Sequence, residues 1–224
     1  MNTTPLARLG WRAAAGLLAS LALTATALAQ APAKGSAAHI TATVNKVNAA
    51  FMKNNASKTP DWPSYGLDYA ETRHSKLNQI STSNVKELGL VWSYNLESKR
   101  GVESTPLVVD GIMYVTASWS VVHAVDVRTG KAIWTFDPKV PREAGYKGCC
   151  DVVNRGVALH EGKVFVASYD GRLIALDAAT GKVAWEKDTI IDRKFSYTIT
   201  GAPRVFKGKV IIGNGGAEYG VRGY

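Results

Sequence analysis

Pairs of short hydrophobic runs, each pair joined by a two-residue turn that ends in glycine, recur along this chain. The runs are rich in Val, Ile and Leu, and a Gly in the second turn position accepts the positive φ that a tight hairpin requires. The pattern therefore predicts antiparallel β-hairpins. Their turns are Asp110-Gly111, Glu161-Gly162 and Lys207-Gly208.

A second recurring segment, Ala-x-Asp-x-x-Thr-Gly-Lys-x-x-Trp, follows the first two hairpins. It occupies residues 124–134 and returns at residues 175–185. Its Asp and Thr side chains suit a turn, because they can hydrogen-bond to neighbouring backbone amides. Trp92 fits the role of the closing Trp without the preceding turn. Each unit is thus predicted to hold about four short strands, the size of a propeller blade. A β-sandwich is the alternative, which the matched spacing disfavours.

The N-terminal segment carries a different pattern. Its first residues contain Arg8 and Arg12 and no acidic residue, and an uncharged Ala- and Leu-rich run then ends at Ala27-Leu28-Ala29. This order predicts a cleaved signal peptide over residues 1–29 and hence export to the periplasm. A membrane anchor is the alternative, which the short, Ala-rich run disfavours.

Residues 30–60 lack strand patterning and are interpreted as a leader. Val44, Val47 and Phe51 have helical spacing, which predicts a helix from Ala42 to Lys58; a mobile segment is the alternative. The propeller domain is predicted to fill residues 61–224.

Composition narrows the functional class. The chain is 46% hydrophobic and 20% charged, which excludes a disordered chain. Its net charge of +9 is scattered without a basic run, so we expect no nucleic-acid partner. Outside the N-terminal run no apolar stretch is long enough to span a bilayer, so the mature protein is predicted not to be transmembrane.

The two cysteines of the chain are adjacent to each other. Cys149 and Cys150 lie within residues 141–155, which interrupt the repeat after Trp134. Adjacent Cα atoms are about 3.8 Å apart, closer than ordinary disulfides prefer, so a bond between these cysteines would close a strained ring. Export allows such a bond. The alternative is a pair of buried, reduced thiols.

Two further departures from the repeat contain carboxylates. Residues 213–223 are rich in glycine, which permits close backbone approach to a ligand, and Glu218 in this loop is a candidate ligand for a hard cation. Glu103 precedes the first hairpin. Taken alone, each carboxylate is better explained as a solvated surface acid.

Together these features resemble the quinoprotein alcohol dehydrogenases, in their ethanol-type or quinohaemoprotein branch. The resemblance rests on the Trp repeats, on Cys149-Cys150 followed by residues 151–155, and on residues 215–218. It implies an all-β fold, an eight-bladed β-propeller of which this chain holds the first two to three blades. It also implies pyrroloquinoline quinone (PQQ) and Ca²⁺ as cofactors, and oxidation of alcohols to aldehydes by hydride transfer to the quinone.

The resemblance implies roles for individual residues. Cys149 and Cys150 would form a vicinal disulfide against one face of the PQQ ring, and Glu218 would bind Ca²⁺. The implied cofactor-binding residues are Glu103, Cys149, Cys150, Arg155, Thr200, Gly215, Gly216 and Ala217.

The resemblance also implies residues that this sequence does not contain. The catalytic base, a second calcium ligand and a Trp on the opposite PQQ face are expected beyond Tyr224, so no catalytic residue is assigned. The chain is interpreted as an N-terminal fragment that would be inactive alone. Haem c is expected only in a further C-terminal region, with a small alcohol as substrate and cytochrome c or a similar electron acceptor as partner. The alternative function is a non-catalytic propeller scaffold, which has no need of the cysteine pair.

Overall fold

The computed structural model describes Met1 and residues 30–223. The signal peptide predicted over residues 1–29 lies, apart from Met1, outside them. The described helices are α1, Ala37–Val44, and α2, Ala49–Lys58, with short 3₁₀ helices at Val85–Glu87, Ser118–Ser120, Arg142–Lys147 and Ala217–Tyr219. The strands are β1 Leu107–Val109, β2 Ile112–Thr116, β3 Val122–Asp126, β4 Lys131–Phe136, β5 Ala158–His160, β6 Lys163–Ala167, β7 Arg172–Asp177, β8 Val183–Asp188, β9 Arg204–Phe206 and β10 Lys209–Ile211.

The strands form two four-stranded sheets and one hairpin. The sheet orders are β1-β2-β3-β4 and β5-β6-β7-β8, and β9 pairs with β10; all neighbours are antiparallel. Each sheet is one blade, and the hairpin begins a third. The prediction of an all-β fold containing the first two to three propeller blades is confirmed.

The hairpin turns follow from their sequences. In each turn both central residues have positive φ, for example 43° at Asp110 and 76° at Gly111, which matches the right-handed twist of the flanking strands. Glycine takes the larger φ in every case because it has no Cβ. The glycine-based prediction thus locates all three turns.

Tryptophans join consecutive blades. The Trp134 indole N–H donates to the carbonyl of Ala178 at 3.0 Å, and the ring lies against Gly181 in the turn of the second blade. Trp92 makes the same contacts one blade earlier, with Val127 at 2.8 Å and with Gly130. A Cβ on either glycine would overlap the indole. The Trp and the Thr-Gly turn of the repeat therefore form one contact between blades, rather than two independent features.

The leader packs on the turn end of the first two blades. Ile40, Val44 and Val47 are buried in the core that the two blades share. Two helices form instead of one, because the Asn48 side chain accepts from the amide of Phe51 and caps a new helix. Among the described residues, no helix combines the length and apolarity needed to cross a bilayer.

Polar contacts fix the leader to the hairpin turns. The side chains of Lys34 and His39 both contact the carboxylate of Asp110, at 2.6 and 2.9 Å. The amides of Glu161 and Gly162 donate to carbonyls at the end of α1 and just beyond it. Both contacts lie at the turns that follow β1 and β5. The loops that precede these two strands lie at the opposite end of the blades.

Candidate functional site

Three predicted site residues occupy equivalent positions in successive blades. Glu103, Arg155 and Thr200 each lie shortly before the first strand of a blade, namely β1, β5 and β9. The repeat itself therefore brings them to one end of the structure, although they are far apart in sequence. This end is opposite to the turns that the leader covers.

The three side chains form one hydrogen-bonded chain. Arg155 Nη2 lies 2.7 Å from Glu103 Oε2, and Arg155 Nη1 donates to Thr200 Oγ1 at 2.6 Å. The backbone is paired along the same line: the Arg155 amide donates to the Thr200 carbonyl at 2.9 Å, and the Thr105 amide donates to the Arg155 carbonyl at 3.2 Å. Arg155 and Glu103 keep 38% and 46% of their side-chain surface exposed. They are thus ordered and still accessible to a ligand.

The cysteine pair lies in the adjoining loop, just after the 3₁₀ helix Arg142–Lys147. The sulfur atoms of Cys149 and Cys150 are joined, with Cα atoms 3.7 Å apart. Both residues are exposed, which contradicts the alternative of two buried thiols. An exposed, linked pair presents a compact apolar surface to a ligand.

Contacts on both sides hold the cysteine loop. On one side Gly148 packs so closely on Tyr169 that a Cβ would overlap the phenol oxygen. On the other side the Asp151 carboxylate accepts from Arg100 Nε at 2.7 Å and from the Gly101 amide at 3.1 Å. These hydrogen bonds, chiefly the one from Arg100, lower the pKa of Asp151 to about 2. The carboxylate is therefore ionised at neutral pH.

Sequence reasoning missed the roles of Arg100, Tyr169 and Asp151. Asp151 was visible as the residue after the cysteine pair, but its long-range partners, Arg100 and Gly101, come from the loop before Glu103. Tyr169 is fully buried, burial raises its pKa, and its hydroxyl has no hydrogen-bond partner among the described residues. Only the adjacency of Asp151 to the cysteines could have drawn attention to any of them.

The glycine-rich loop completes the site. Gly215 pairs with Thr198, its amide donating to the Thr198 carbonyl at 2.7 Å. Gly216 has φ 123°, and a Cβ there would overlap the carbonyl oxygen of Ser196. The loop therefore requires glycine at this position. Ala217 begins the 3₁₀ helix that carries Glu218, whose side chain is exposed.

Thr198 brings the cysteine loop and the glycine loop together. Its hydroxyl oxygen would lie 3.4 Å from a Cβ on either Gly148 or Gly215. Because Thr200 is two residues further on, the Arg155 chain, the cysteine pair and the glycine loop share one end of the structure. Within residues 30–223, no group of three His, Cys, Asp or Glu side chains is arranged to hold a metal ion. Glu218 is the predicted metal ligand that the chain itself contributes.

This arrangement suits a flat, anionic ligand. The linked cysteines offer a face, Arg155 offers a cation, and the Thr200 hydroxyl and the loop amides offer hydrogen-bonding groups. The family profile for the glucose/ethanol/alcohol dehydrogenase β-propeller domain, the PQQ family, matches residues 62–220. The chain belongs to the PQQ-dependent alcohol dehydrogenase family. The resemblance stated from the motifs is thereby confirmed, and quinohemoprotein relatives confirm the branch.

Individual relatives agree with this assignment. The chain is 66% identical over 208 residues to the quinohemoprotein alcohol dehydrogenase of Comamonas testosteroni, covering 93% of this chain and 29% of the relative. The crystal structure of the quinohemoprotein alcohol dehydrogenase from that organism aligns with a TM-score of 0.82 and 70% identity, over 84% of this chain and 28% of that one.

Two further relatives are dehydrogenases named for particular alcohols. The 1-butanol dehydrogenase (cytochrome c) of Thauera butanivorans is 71% identical over 164 residues, covering 73% of this chain and 24% of the relative. A europium-containing methanol dehydrogenase aligns with a TM-score of 0.73 and 42% identity, over 78% of this chain and 31% of that one. The chain thus spans less than a third of each of these relatives.

Proposed function

We propose that the complete protein carrying this chain is a periplasmic PQQ- and calcium-dependent alcohol dehydrogenase that oxidises alcohols to aldehydes. The observation that carries the proposal is the meeting of three loops at one end of the blades. The Glu103–Arg155–Thr200 chain, the cysteine pair and the glycine loop converge there. A non-catalytic scaffold needs none of these three features.

Each part of the site has a task in holding the cofactor. Arg155 would pair with a carboxylate of PQQ, since a guanidinium binds planar anions through two parallel hydrogen bonds. Glu103 and Thr200 fix the guanidinium plane and offer further hydrogen bonds. Gly215, Gly216 and Ala217 would supply backbone contacts where side chains would block close approach. When bound, PQQ supplies the quinone that accepts the hydride equivalent from the alcohol.

We propose Cys149 and Cys150 as an oxidised, vicinal disulfide in the mature protein. The bond closes a loop of adjacent residues, so it constrains little of the unfolded chain and contributes little to stability. Its value lies in the rigid, polarisable surface that it gives one face of the site. Export to an oxidising compartment would maintain it.

Glu218 is proposed as a Ca²⁺ ligand. Its carboxylate is exposed at the end of the glycine loop, and Ca²⁺ prefers oxygen ligands of this kind. A related methanol dehydrogenase contains europium, another hard cation, which supports a metal in this family's site. The remaining ligands would come from blades beyond this chain.

The location and partners follow from the N-terminal pattern and from the relatives' names. The signal-like segment supports the periplasm. The names quinohemoprotein and cytochrome c support a haem c region in the complete protein and a cytochrome c acceptor. Two blades and a hairpin would not form a closed site, so we expect this chain to be inactive by itself.

Reconstitution tests the function directly. The complete polypeptide is loaded with PQQ and Ca²⁺, and reduction of an artificial dye by ethanol is followed together with the absorbance of bound PQQ. Glu218→Gln should weaken Ca²⁺ binding, so a higher Ca²⁺ concentration should be needed for half-maximal activity. Glu143→Gln is the matched control, because Glu143 is also exposed in a 3₁₀ helix. Absence of both PQQ absorbance and dye reduction would establish the scaffold instead.

A further inference from the structure

Asp151 links the cysteine pair to the segment that leads to Glu103. Its carboxylate accepts from Arg100 Nε at 2.7 Å, from the Gly101 amide at 3.1 Å and from the Val152 amide at 2.7 Å. Two of these donors precede Glu103, and the third follows the cysteine pair. The Asp151 carboxylate therefore connects the cysteine loop to the segment before Glu103.

The backbone at Asp151 is suited to this task. Its φ of 71° lies in the left-handed region, which Asp and Asn tolerate better than other residues with side chains. The chain turns sharply there, directly after Cys150. The carbonyl of the next residue, Val152, accepts from the Trp119 amide at 2.8 Å, which fixes the exit of the loop to the first blade.

The other end of the cysteine loop has its own contact. Gly148 rests on the buried ring of Tyr169 in the second blade. The cysteine pair is thus held between the second blade on one side and the Arg100 segment on the other. Without Asp151 the contacts of Gly148 with Tyr169 and of Val152 with Trp119 would still hold the loop on the blades, but its hydrogen bonds to the segment before Glu103 would be lost.

We infer that Asp151 is a positioning residue that sets the distance between the Cys149–Cys150 surface and Glu103 by holding Arg100 and Gly101. The inference rests on the proposed function, because these two features form the face and the edge of the proposed cofactor site. Asp151 itself need not touch the cofactor. Its low pKa keeps the carboxylate ionised at neutral pH.

The test is Asp151→Asn in the complete polypeptide. Asn tolerates the same positive φ, so the substitution removes the charge without changing the preferred backbone. Asp188→Asn is the matched control, because Asp188 also binds an arginine, Arg193, at 2.7 Å and accepts from the amide of Ile190. Asp188 lies outside the proposed site.

Three quantities are measured for each variant. They are the dissociation constant of PQQ from the apoprotein, the absorption maximum of bound PQQ, and the rate at which dithiothreitol reduces the cysteine pair in the cofactor-free protein. The urea midpoint is recorded alongside them. Asp151→Asn should raise the dissociation constant roughly tenfold, because a displaced cysteine surface would lose contact with the ring and a loss of about 1.4 kcal/mol is a factor of ten in affinity. It should also shift the absorption maximum and speed reduction, with a urea midpoint equal to that of the control.

The outcomes separate the inference from the function. If all three quantities match those of Asp188→Asn, Asp151 is not a positioning residue. A urea midpoint lower than that of Asp188→Asn by enough to account for the weaker binding would also overturn it, because the role would then be structural. If the wild type does not bind PQQ, the proposed function fails. The reduction rate then decides the inference alone: faster reduction supports it, and an unchanged rate refutes it.

A second variant checks the pair. Arg100→Gln removes the partner and should reproduce the effects of Asp151→Asn. The double variant should add nothing further, since both changes break one interaction. Additive effects would show that the two residues act independently, which contradicts the inference.

Discussion

Arg155 is the residue on which the proposed site depends most, and Arg155→Lys tests this with the charge retained. The guanidinium uses two nitrogens for two partners, Glu103 at 2.7 Å and Thr200 at 2.6 Å. A lysine ammonium is a compact charge on a flexible stem, and it cannot reproduce the planar fork. The substitution therefore removes geometry rather than charge.

The structure indicates which quantity should change most. Arg155 and Glu103 are 38% and 46% exposed, so their ion pair contributes no more than about 1 kcal/mol to folding, as surface pairs do. A charge-assisted hydrogen bond to a bound anion contributes about 1.5–3 kcal/mol. Since 1.4 kcal/mol corresponds to a factor of ten in affinity, PQQ should bind about 10- to 100-fold more weakly. The free energy of PQQ binding should thus fall more than the free energy of unfolding.

The assay compares these two free energies in the same protein. The apoprotein of the complete polypeptide is titrated with PQQ in saturating Ca²⁺, and urea unfolding of the apoprotein gives the stability. Arg193→Lys is the control, because Arg193 also pairs with a carboxylate in an exposed loop. The control should leave the PQQ dissociation constant unchanged.

Two results would refute the reasoning. An unchanged dissociation constant in Arg155→Lys would mean that the guanidinium does not bind the cofactor. A loss of folding free energy as large as the loss of binding free energy would mean that Arg155 supports the blades rather than the ligand.

Three further predictions concern the fold and the loops. Trp134→Ala removes a ring that packs on the next blade, so the free energy of unfolding in urea should fall by about 3 kcal/mol. Tyr146→Ala is the control, because its ring is 74% exposed and its loss should change the unfolding free energy little. Equal losses in the two variants would contradict the contact between blades. Gly216→Ala introduces a Cβ that overlaps neighbouring backbone at a φ of 123°, so it should weaken PQQ binding. Gly213→Ala is the control and should leave PQQ binding unchanged, because there is open space around Gly213. Equal binding by both variants would contradict the loop geometry. An arginine and two amides hold the pKa of Asp151 at about 2, below the ordinary 3.8, so its carboxylate favours folding above the unfolded pKa and loses that effect as pH falls through about 2. The difference in unfolding free energy between wild type and Asp151→Asn should therefore be constant at neutral pH and shrink only in acid; a difference that varies near neutrality would contradict this.

The blades were predictable because their signals are local. Each hairpin turn is set by two adjacent residues, such as Asp110 and Gly111, whose positive φ the sequence itself favours. The repeated Trp134 was equally visible. The contact of its indole with Gly181 could not be predicted, because Gly181 belongs to the next blade and the contact depends on how the blades stack.

The site was predictable only in part for the same reason. Arg155 was found through resemblance, since no local rule brings it to Glu103, whereas the cysteine pair was visible from its adjacency in the sequence. The contact between Asp151 and Arg100 could not be seen in the sequence, because the two residues are far apart along the chain and meet only when their loops pack together. In the leader, spacing indicated a helix but not its break, which depends on the side chain of Asn48 accepting a backbone hydrogen bond. Long-range side-chain contacts are therefore what the sequence pattern alone leaves undetermined.

The position of the site has a consequence for the whole propeller. Glu103, Arg155 and Thr200 come from three successive blades, and the backbone hydrogen bonds between them run along the line where these blades meet. A cofactor held by all three would cross the contacts between blades rather than sit within one. Because a ligand that binds only the folded state stabilises it, the cofactor would stabilise the contacts between these blades. The tryptophan contacts join the blades between their sheets, and the cofactor would join them at the end that holds the proposed site.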